Sequence, residues 1–557
     1  MRKKLPLILL LFISFLALGL RLWKLGFIPP SLHWDEPSWG YNAYSILKTG
    51  RDEYGNFMPL IFKAFGDFKS ALYVYLTVLP VAIFGLNEFS VRFMAALFGA
   101  ISVFLMFYTV RELFSDFKGK VIVGLFASFA LALSPWNFHY SRGAWEVNIL
   151  LVVVLLALIF FLKTEKRNPW LLFLSAFFFG LSFYVYNSAK LLIPLIILGL
   201  IVLFKDKLKD YSLKHYLISA VILIVMALPI VQFTFLGGAG GRLRVMNIFS
   251  YQRTNEEIVK LSQEEGVSPY IPYGIFHNDL IYFSRGIVGR YLNHFSPRFL
   301  FFEGDWTNQR HGVPFAGQMN FLDILFLSAG FIFLIRQKVK NKAFIFYFLL
   351  IAPLPAALSR DTVEATRSYF MVFPLIVISA FGMLAILENL RKITKPLGFG
   401  MIAILIGGYL FSFIYYLDQF FVHAPIANST YWQYGYKQAV QHVKENGKNY
   451  EKIIFTQKYG QPYIYYLFYT QYPPSQYQKQ AKLIENSDGD VGYVSNIDSI
   501  EFRDIYWPTD RALKNTLFVG GPYELPDQDI DPSQARVRKE IQSLDGSPAF
   551  KIVETLK

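Results

Sequence analysis

Eleven apolar stretches, most of them close to the roughly 20 residues that cross a bilayer, punctuate the first 417 positions of the chain. They fall at 5–27, 92–113, 120–138, 146–163, 169–186, 190–205, 214–236, 320–336, 343–358, 368–388 and 397–417. The composition agrees: 54% of the 557 residues are hydrophobic and 17% charged, against about 25% charged in soluble domains. A water-soluble core of this size cannot bury 56 Phe and 35 Tyr. Soluble enzymes, disordered scaffolds, disulfide-stapled secreted modules and free nucleic-acid binders are thereby excluded. With no cysteine, neither disulfides nor cysteine-ligated metals can form.

Sidedness follows from the positive charge, because short cytoplasmic turns collect Lys and Arg. Residues 71–86 are also apolar, and whether they cross decides the topology. If they do not, the turns on the side of Arg2, Lys3 and Lys4 are all basic. They hold Lys118 and Lys120; Lys163, Lys166 and Arg167; Lys205, Lys207, Lys209 and Lys214; Arg336, Lys338, Lys340 and Lys342; then Arg391, Lys392 and Lys395. If 71–86 did cross, every one of these turns would face outward. The chain is therefore read as a multi-pass protein of the cell (plasma or inner) membrane. It has about eleven spans, the N-terminus in the cytoplasm and 71–86 lying in the outer leaflet. The first segment runs into Leu20-Arg21-Leu22-Trp23-Lys24 with no small-residue cleavage site, so it is read as a retained span. The net charge of +14 is then mainly a topology signal, and no nucleic-acid partner is implied.

Residues 1–417 form the membrane body, with long outer loops at 28–91 and 237–319. From 418 to 557 the apolar runs stop. Helical patterns at 432–445, 462–470 and 534–543 interleave with strand-like ones at 452–455, 516–519 and 549–554. That alternation predicts a small extracytoplasmic α/β domain.

The first outer loop reads His33-Trp34-Asp35-Glu36-Pro37. Pro37 favours the first turn of a helix, predicted over 37–48, and places the two carboxylates at its start. Adjacent side chains point different ways, so the pair should divide its tasks. Helix capping accounts for one carboxylate easily and for two poorly. The alternative is a base that deprotonates an acceptor hydroxyl, which requires a partly desolvated carboxylate whose pKa rises toward working pH. Trp34 and Tyr41 are read either as platforms for sugar rings or as part of an interfacial aromatic belt. Lys69 is placed to bind a lipid-linked phosphate or to snorkel. Arg142 and Glu146 sit in the next outer turn and either pair together or join the site. Tyr186 and the group Arg360, Asp361, Glu364 and Arg367 share this face. Charges gathered at one face, not at the midplane, suit an enzyme better than an ion-coupled transporter.

With these residues in place, the chain resembles the GT-C integral-membrane glycosyltransferases, in the branch of protein O-mannosyltransferases and lipid A aminoarabinose transferases. Asp35-Glu36, Gly50-Arg51-Asp52-Glu53 with Gly55, Lys69, Phe84-Gly85, Ser90-Val91-Arg92, Gly99, Tyr140-Ser141-Arg142 and Glu146 carry the likeness. It is dense over about 20–200, looser to 417 and lacking beyond. The resemblance implies a mainly α bundle of GT-C type with outer-face juxtamembrane helices. It also implies an inverting transfer from a polyprenyl-phosphate sugar to a protein, lipid or glycan hydroxyl. By position it makes Asp35 the base, with Glu36 shaping the catalytic pair. Lys69 and Arg142 become donor-phosphate ligands, Arg92 supports either the acidic pair or that phosphate, and a further phosphate arginine comes from Arg285, Arg290 and Arg298, with Arg290 as the candidate. Trp34, Tyr41, Glu146 and Tyr186 become substrate contacts. The family has an aspartate where this chain has Glu146. His33, His139 and His311 show no ligand spacing, so no metal and no cofactor are expected. Two other readings stay open: a transporter or flippase for a lipid-linked sugar, and an inactive relative whose body anchors the outer domain.

Overall fold

The computed structural model describes residues 4–166, 168–209, 211–235, 247–250, 253–266, 274–485 and 491–556. Arg167, one of the basic-turn residues, lies outside them. A helix occupies each of the eleven apolar stretches. The first half of the chain runs α1 (Leu5–Leu22), α2 (Asp35–Thr49), a hairpin of β1 (Ile61–Ala64) and β2 (Asp67–Ser70), α3 (Leu72–Phe84), α4 (Glu88–Leu113), α5 (Lys120–Ala132), α6 (Pro135–Tyr140) and α7 (Val147–Lys163). Helices Trp170–Leu181, Ala189–Leu203, Leu213–Phe235, Asp323–Arg336, Lys342–Ile351, Val372–Leu390 and Lys395–Asp418 complete the body. Helices over Leu5–Leu22, Glu88–Leu113, Leu213–Thr234, Tyr369–Leu390 and Lys395–Ala427 are long and apolar enough to cross a membrane.

The turns segregate to two ends, as the charge pattern requires. At one end Lys340 pairs with Asp116 at 2.8 Å. There Asn341 donates to the Leu113 carbonyl at 2.7 Å, and the Tyr211 hydroxyl donates to Thr164 at 3.0 Å. At the other end the Trp136 indole donates to the Ala365 carbonyl at 3.1 Å. Tyr140 meets Thr366 at 2.9 Å, and Asn428 donates to the Gln309 carbonyl at 2.8 Å. The helix in the 71–86 stretch, α3, has 13 residues. At 1.5 Å per residue that is about 20 Å, against a hydrocarbon core of about 30 Å. It packs on α2 and α4, and Tyr73 donates to the Val91 carbonyl at 2.8 Å.

The body is closely packed. Helices Asp323–Arg336 and Val372–Leu390 approach at two glycines. A Cβ on Gly330 would stand 2.0 Å from the Ile378 carbonyl oxygen, and one on Gly382 would stand 1.8 Å from that of Phe326.

Beyond the membrane body, six strands form a mixed sheet ordered 496–497, 500–502, 452–455, 516–520, 548–555, 535–542. Strand Lys452–Phe455 is parallel to both its neighbours. One sequence expectation fails here: 534–543 is the strand Ala535–Gln542, antiparallel to Pro548–Thr555. The intervening Asp545-Gly546, with Gly546 at φ 85°, closes the hairpin, and cross-strand pairing overrides the helical reading of Ala535-Arg536-Val537-Arg538-Lys539-Glu540. The domain is seated on the end of the body opposite the basic turns. Tyr465 donates to the Leu32 carbonyl at 2.9 Å, and Gln478 donates to that of Asp52 at 2.9 Å.

Because the glycine crossing leaves no room for a methyl group, Gly382→Ala should lower stability by about 1–3 kcal/mol. This is read as a drop in thermal midpoint of the detergent-solubilised protein. Gly400→Ala, where an added Cβ meets nothing within 4 Å, should leave the midpoint unchanged.

Candidate active site

The linker between α1 and α2 is held by two arginines, Arg92 and Arg142, reaching in from elsewhere in the chain. Arg92 of α4 grips Glu36 with two parallel hydrogen bonds, Nε to Oε1 at 2.9 Å and Nη2 to Oε2 at 3.0 Å. Its Nη1 donates to the Pro29 carbonyl at 2.8 Å, and Nη2 also reaches the Ser31 carbonyl. Glu36 in turn accepts the backbone amides of Ala144 at 2.9 Å and His33 at 3.1 Å. Arg142 donates to the carbonyls of Arg21 at 2.9 Å and Ile28 at 3.0 Å, and to that of Trp23. Arg21 ties α1 to α6 through Asn137 at 2.6 Å and to Ser141 at 3.1 Å.

All four side chains are buried, which narrows three expectations. Glu36 does not face a reacting group, because its oxygens are filled by Arg92 and two amides. Arg92 is engaged by Glu36 and the linker, the acidic-pair support that was one of its two expected roles, and is not open to a phosphate. Arg142 holds chain carbonyls and pairs with neither Glu146 nor a donor.

One residue back on the same helix, Asp35 points about 100° away from Glu36. Its side chain keeps 24% exposure and meets three basic groups: Lys69 in a close ion pair, His33 Nδ1 at 3.4 Å and Arg310 Nη1 at 3.6 Å. Lys69 is delivered by the β1–β2 hairpin, where it sits opposite Phe62. The two-residue turn Phe65-Gly66 has positive φ at both positions, 57° and 83°. That conformation is natural for glycine and closes a tight hairpin. The Lys69 ammonium lies 5.1 Å from the ring centres of both Trp39 and Phe65. Arg310 comes from the second long outer loop, with its guanidinium 4.8 Å over the Trp145 ring.

Burial alone would raise the Asp35 carboxyl, but Lys69, His33 and Arg310 outweigh it and hold the group well below the usual carboxylate range. The expectation of a raised pKa at Asp35 is therefore overturned for the ligand-free protein. Burial, and then Arg310, push His33 down to about 3.

Other expected contacts are distributed differently. Tyr41 is fully buried and donates to the Tyr472 carbonyl at 3.0 Å, so it cannot serve as a sugar platform. Trp34 is half-buried; its amide donates to Gln433 at 2.9 Å, and its ring packs so closely on Gly460 that a Cβ there would come within 2.5 Å. Glu146 is buried in electrostatic reach of Lys69, Asp35 and Arg310. Tyr186 bonds instead with Arg367. Arg290 donates to the Arg360 carbonyl at 3.1 Å, and the arginine of this loop that reaches Asp35 is Arg310. Sequence reasoning missed Arg310 because nothing local marks which arginine of a long loop folds back. It also missed a group formed by Asp305, His311 and Glu364, whose possible ligand atoms lie within 4.8 Å of one another. Glu53 is buried beside Asn42, which donates to it at 3.1 Å. Burial, reinforced by Asp52, lifts its carboxyl from 4.5 to about 8.

A helical membrane body with a carboxylate and two cations at one end, under a small α/β domain, is the arrangement expected of the GT-C fold. Comparison with known proteins agrees. Residues 69–232 match the dolichyl-phosphate-mannose-protein mannosyltransferase family. No curated protein sequence matches the chain. Among solved structures, ArnT from Cupriavidus metallidurans in the apo state is similar with a TM-score of 0.51 at 11% identity, over 99% of this chain and 97% of that one. ArnT from the same organism bound to undecaprenyl phosphate gives 0.51 at 10% identity, over 99% and 97%. The archaeal oligosaccharyltransferase AglB from Archaeoglobus fulgidus, in complex with an inhibitory peptide and a dolichol-phosphate, gives 0.50 at 14% identity. That match takes in 84% of this chain and 64% of AglB, so the chain spans less than two thirds of the archaeal enzyme's length. At these identities the structural likeness establishes the fold. The resemblance drawn from the sequence is borne out at the level of the fold: this is a membrane protein of the GT-C fold, and its residues 69–232 are similar to the mannosyltransferase family.

Replacing Glu36 with Leu strands the Arg92 charge in the interior and should cost about 3–5 kcal/mol. Thermal unfolding in detergent measures this, and Asp35→Asn should have a much smaller effect. Glu53 yields a pH dependence. Between 4.5 and about 8 the folded chain keeps a proton that the unfolded chain has released, so stability falls as pH rises through that window. Glu53→Gln should remove this part of the slope and be more stable than the parent near pH 8, as read from thermal midpoints across pH.

Proposed function

We propose that this chain is an inverting glycosyltransferase that moves a sugar from a polyprenyl-phosphate donor to an acceptor hydroxyl on the outer face of the cell membrane. The observation that carries the reading is the partly exposed Asp35, in contact with the two cations Lys69 and Arg310. A phosphate headgroup and a carboxylate compete for the same two cations. In the ligand-free protein Lys69 and Arg310 neutralise Asp35. Once they turn to a donor phosphate, Asp35 loses its countercharge and its basicity rises toward that needed for proton transfer.

The reaction is then a single displacement. The acceptor oxygen forms a bond to the anomeric carbon as the bond from that carbon to the phosphate oxygen breaks, and the configuration inverts. The acceptor proton passes to Asp35, and the polyprenyl phosphate leaves with its charge held by Lys69 and Arg310. The isoprenoid phosphates bound by ArnT and AglB support this class of donor. The match of 69–232 to a mannosyltransferase family supports sugar transfer over transport. The acceptor is proposed to approach past Trp34, where the loop around Gly460 brings the α/β domain to the edge of the site.

Asp35→Asn should lower transfer by about 10²- to 10⁴-fold, the contribution of a positioned base. Binding of undecaprenyl phosphate should be retained or tightened, since a competitor for the cations is removed. Lys69→Ala should instead weaken that binding. Transfer is measured by mass spectrometry of envelope proteins, lipids and glycans from cells expressing each form at equal level. Binding is measured by thermal-shift titration with undecaprenyl phosphate. Full transfer by Asp35→Asn, or unchanged lipid-phosphate binding by Lys69→Ala, would sink the assignment.

A further inference from the structure

The outer end of the protein holds a second buried set of ionisable side chains. Asp305 and His311 belong to the second long loop and Glu364 to the turn before helix Val372–Leu390; all three are buried. His311 Nδ1 lies 3.3 Å from Asp305 Oδ2 and 3.2 Å from Glu364 Oε1. The three atoms lie within 4.8 Å of one another.

The carboxylates are oriented from behind. Asp305 Oδ1 accepts from the Thr307 hydroxyl at 2.7 Å and the Asn308 amide at 3.1 Å, and its Oδ2 accepts from the Ala365 amide at 2.9 Å. Glu364 Oε2 accepts from the Arg367 amide at 2.8 Å. Supporting bonds of this kind are what fix the ligands of a metal centre.

The spacing distinguishes two arrangements. A protonated His311 has one Nδ1–H, which can aim at one carboxylate, and a charge-assisted bond would draw that oxygen to about 2.7–2.9 Å. Here the nitrogen stands at almost equal and longer distances from both oxygens. Ligands at about 2.0–2.1 Å in a tetrahedral site are separated by edges of about 3.3 Å, which matches the two separations from His311 Nδ1, while the two carboxylate oxygens lie within 4.8 Å of each other. One imidazole with two carboxylates, in a buried setting, suits a borderline ion better than a hard one.

We propose that Asp305 Oδ2, His311 Nδ1 and Glu364 Oε1 bind a divalent transition-metal ion of the zinc type. The ion would clip the loop carrying residues 305–311 to the turn at 359–367. It lies one residue from Arg310, so it would hold the loop that presents that guanidinium to Asp35 and takes no part in the reaction itself. It does not depend on the donor or the acceptor.

The test uses the full chain in detergent, stripped with a chelator, reconstituted with zinc chloride, desalted and analysed for metal by mass spectrometry. The expected result is one tightly held zinc per chain, with a thermal midpoint that falls when the chelator is added. Glu364→Gln and His311→Gln should bind no stoichiometric zinc, and their midpoints should ignore the chelator. His423→Ala, at an exposed histidine paired with Asp418, should keep the ion. The metal content of the unmutated chain decides the matter even if a variant folds poorly. An unmutated chain that holds no stoichiometric zinc and ignores the chelator would overturn the proposal in favour of a simple ion-pair lock. So would folded variants that keep the ion.

Discussion

The buried pairing of Arg92 with Glu36 is the constraint on which the outer end of this protein depends. A guanidinium and a carboxylate removed from water are costly unless geometry and further hydrogen bonds compensate. Here two parallel bonds join the charges, and the remaining lone pairs and protons are met by amides and carbonyls of the linker and of the turn before α7. One pair therefore fixes three chain segments at once. It also sets the rotation of α2, which decides where the neighbouring carboxylate points.

That rotation accounts for the division of labour in Asp35-Glu36. On a helix, consecutive residues differ by about 100°, so anchoring Glu36 inward delivers Asp35 to the rim, where Lys69 and Arg310 find it. The site is self-neutralised without ligand: Lys69 and Arg310 engage Asp35, and under the proposed function these are the cations that would take the phosphate and the carboxylate that would be the base. A carboxylate held well below its usual range is a poor proton acceptor, and exchange of its partners for an anionic headgroup changes that. Under the proposed function, coupling of donor binding to base strength would follow from charge alone.

Much of the fold was legible in the sequence because the bilayer imposes a strong and simple rule on helix length and loop charge. Each apolar stretch became a helix, and the basic turns came together at one end. The α/β domain was less transparent. Ala535–Gln542 has a composition that a helix tolerates well, and only its partner strand makes it extended. In the site, Asp35 and Lys69 were legible as motif residues. Tyr41, Arg142 and Arg92 carried the same apparent promise and turned out to be buried in structural contacts, because chemistry at one position does not say whether a side chain faces a cavity or a neighbouring carbonyl.

The sequence by itself determined that this is a multi-helix membrane protein with its acidic pair at the end opposite the basic turns, because hydropathy and charge act along the chain and can be read locally. The tertiary structure alone decided which charged groups meet. Arg310 reaches Asp35 across 275 positions of sequence, and Glu364 joins Asp305 and His311 from a separate turn. Ion pairs and ligand sets form through space, and their members are chosen by the packing of helices whose contact surfaces leave no mark at the positions they bring together.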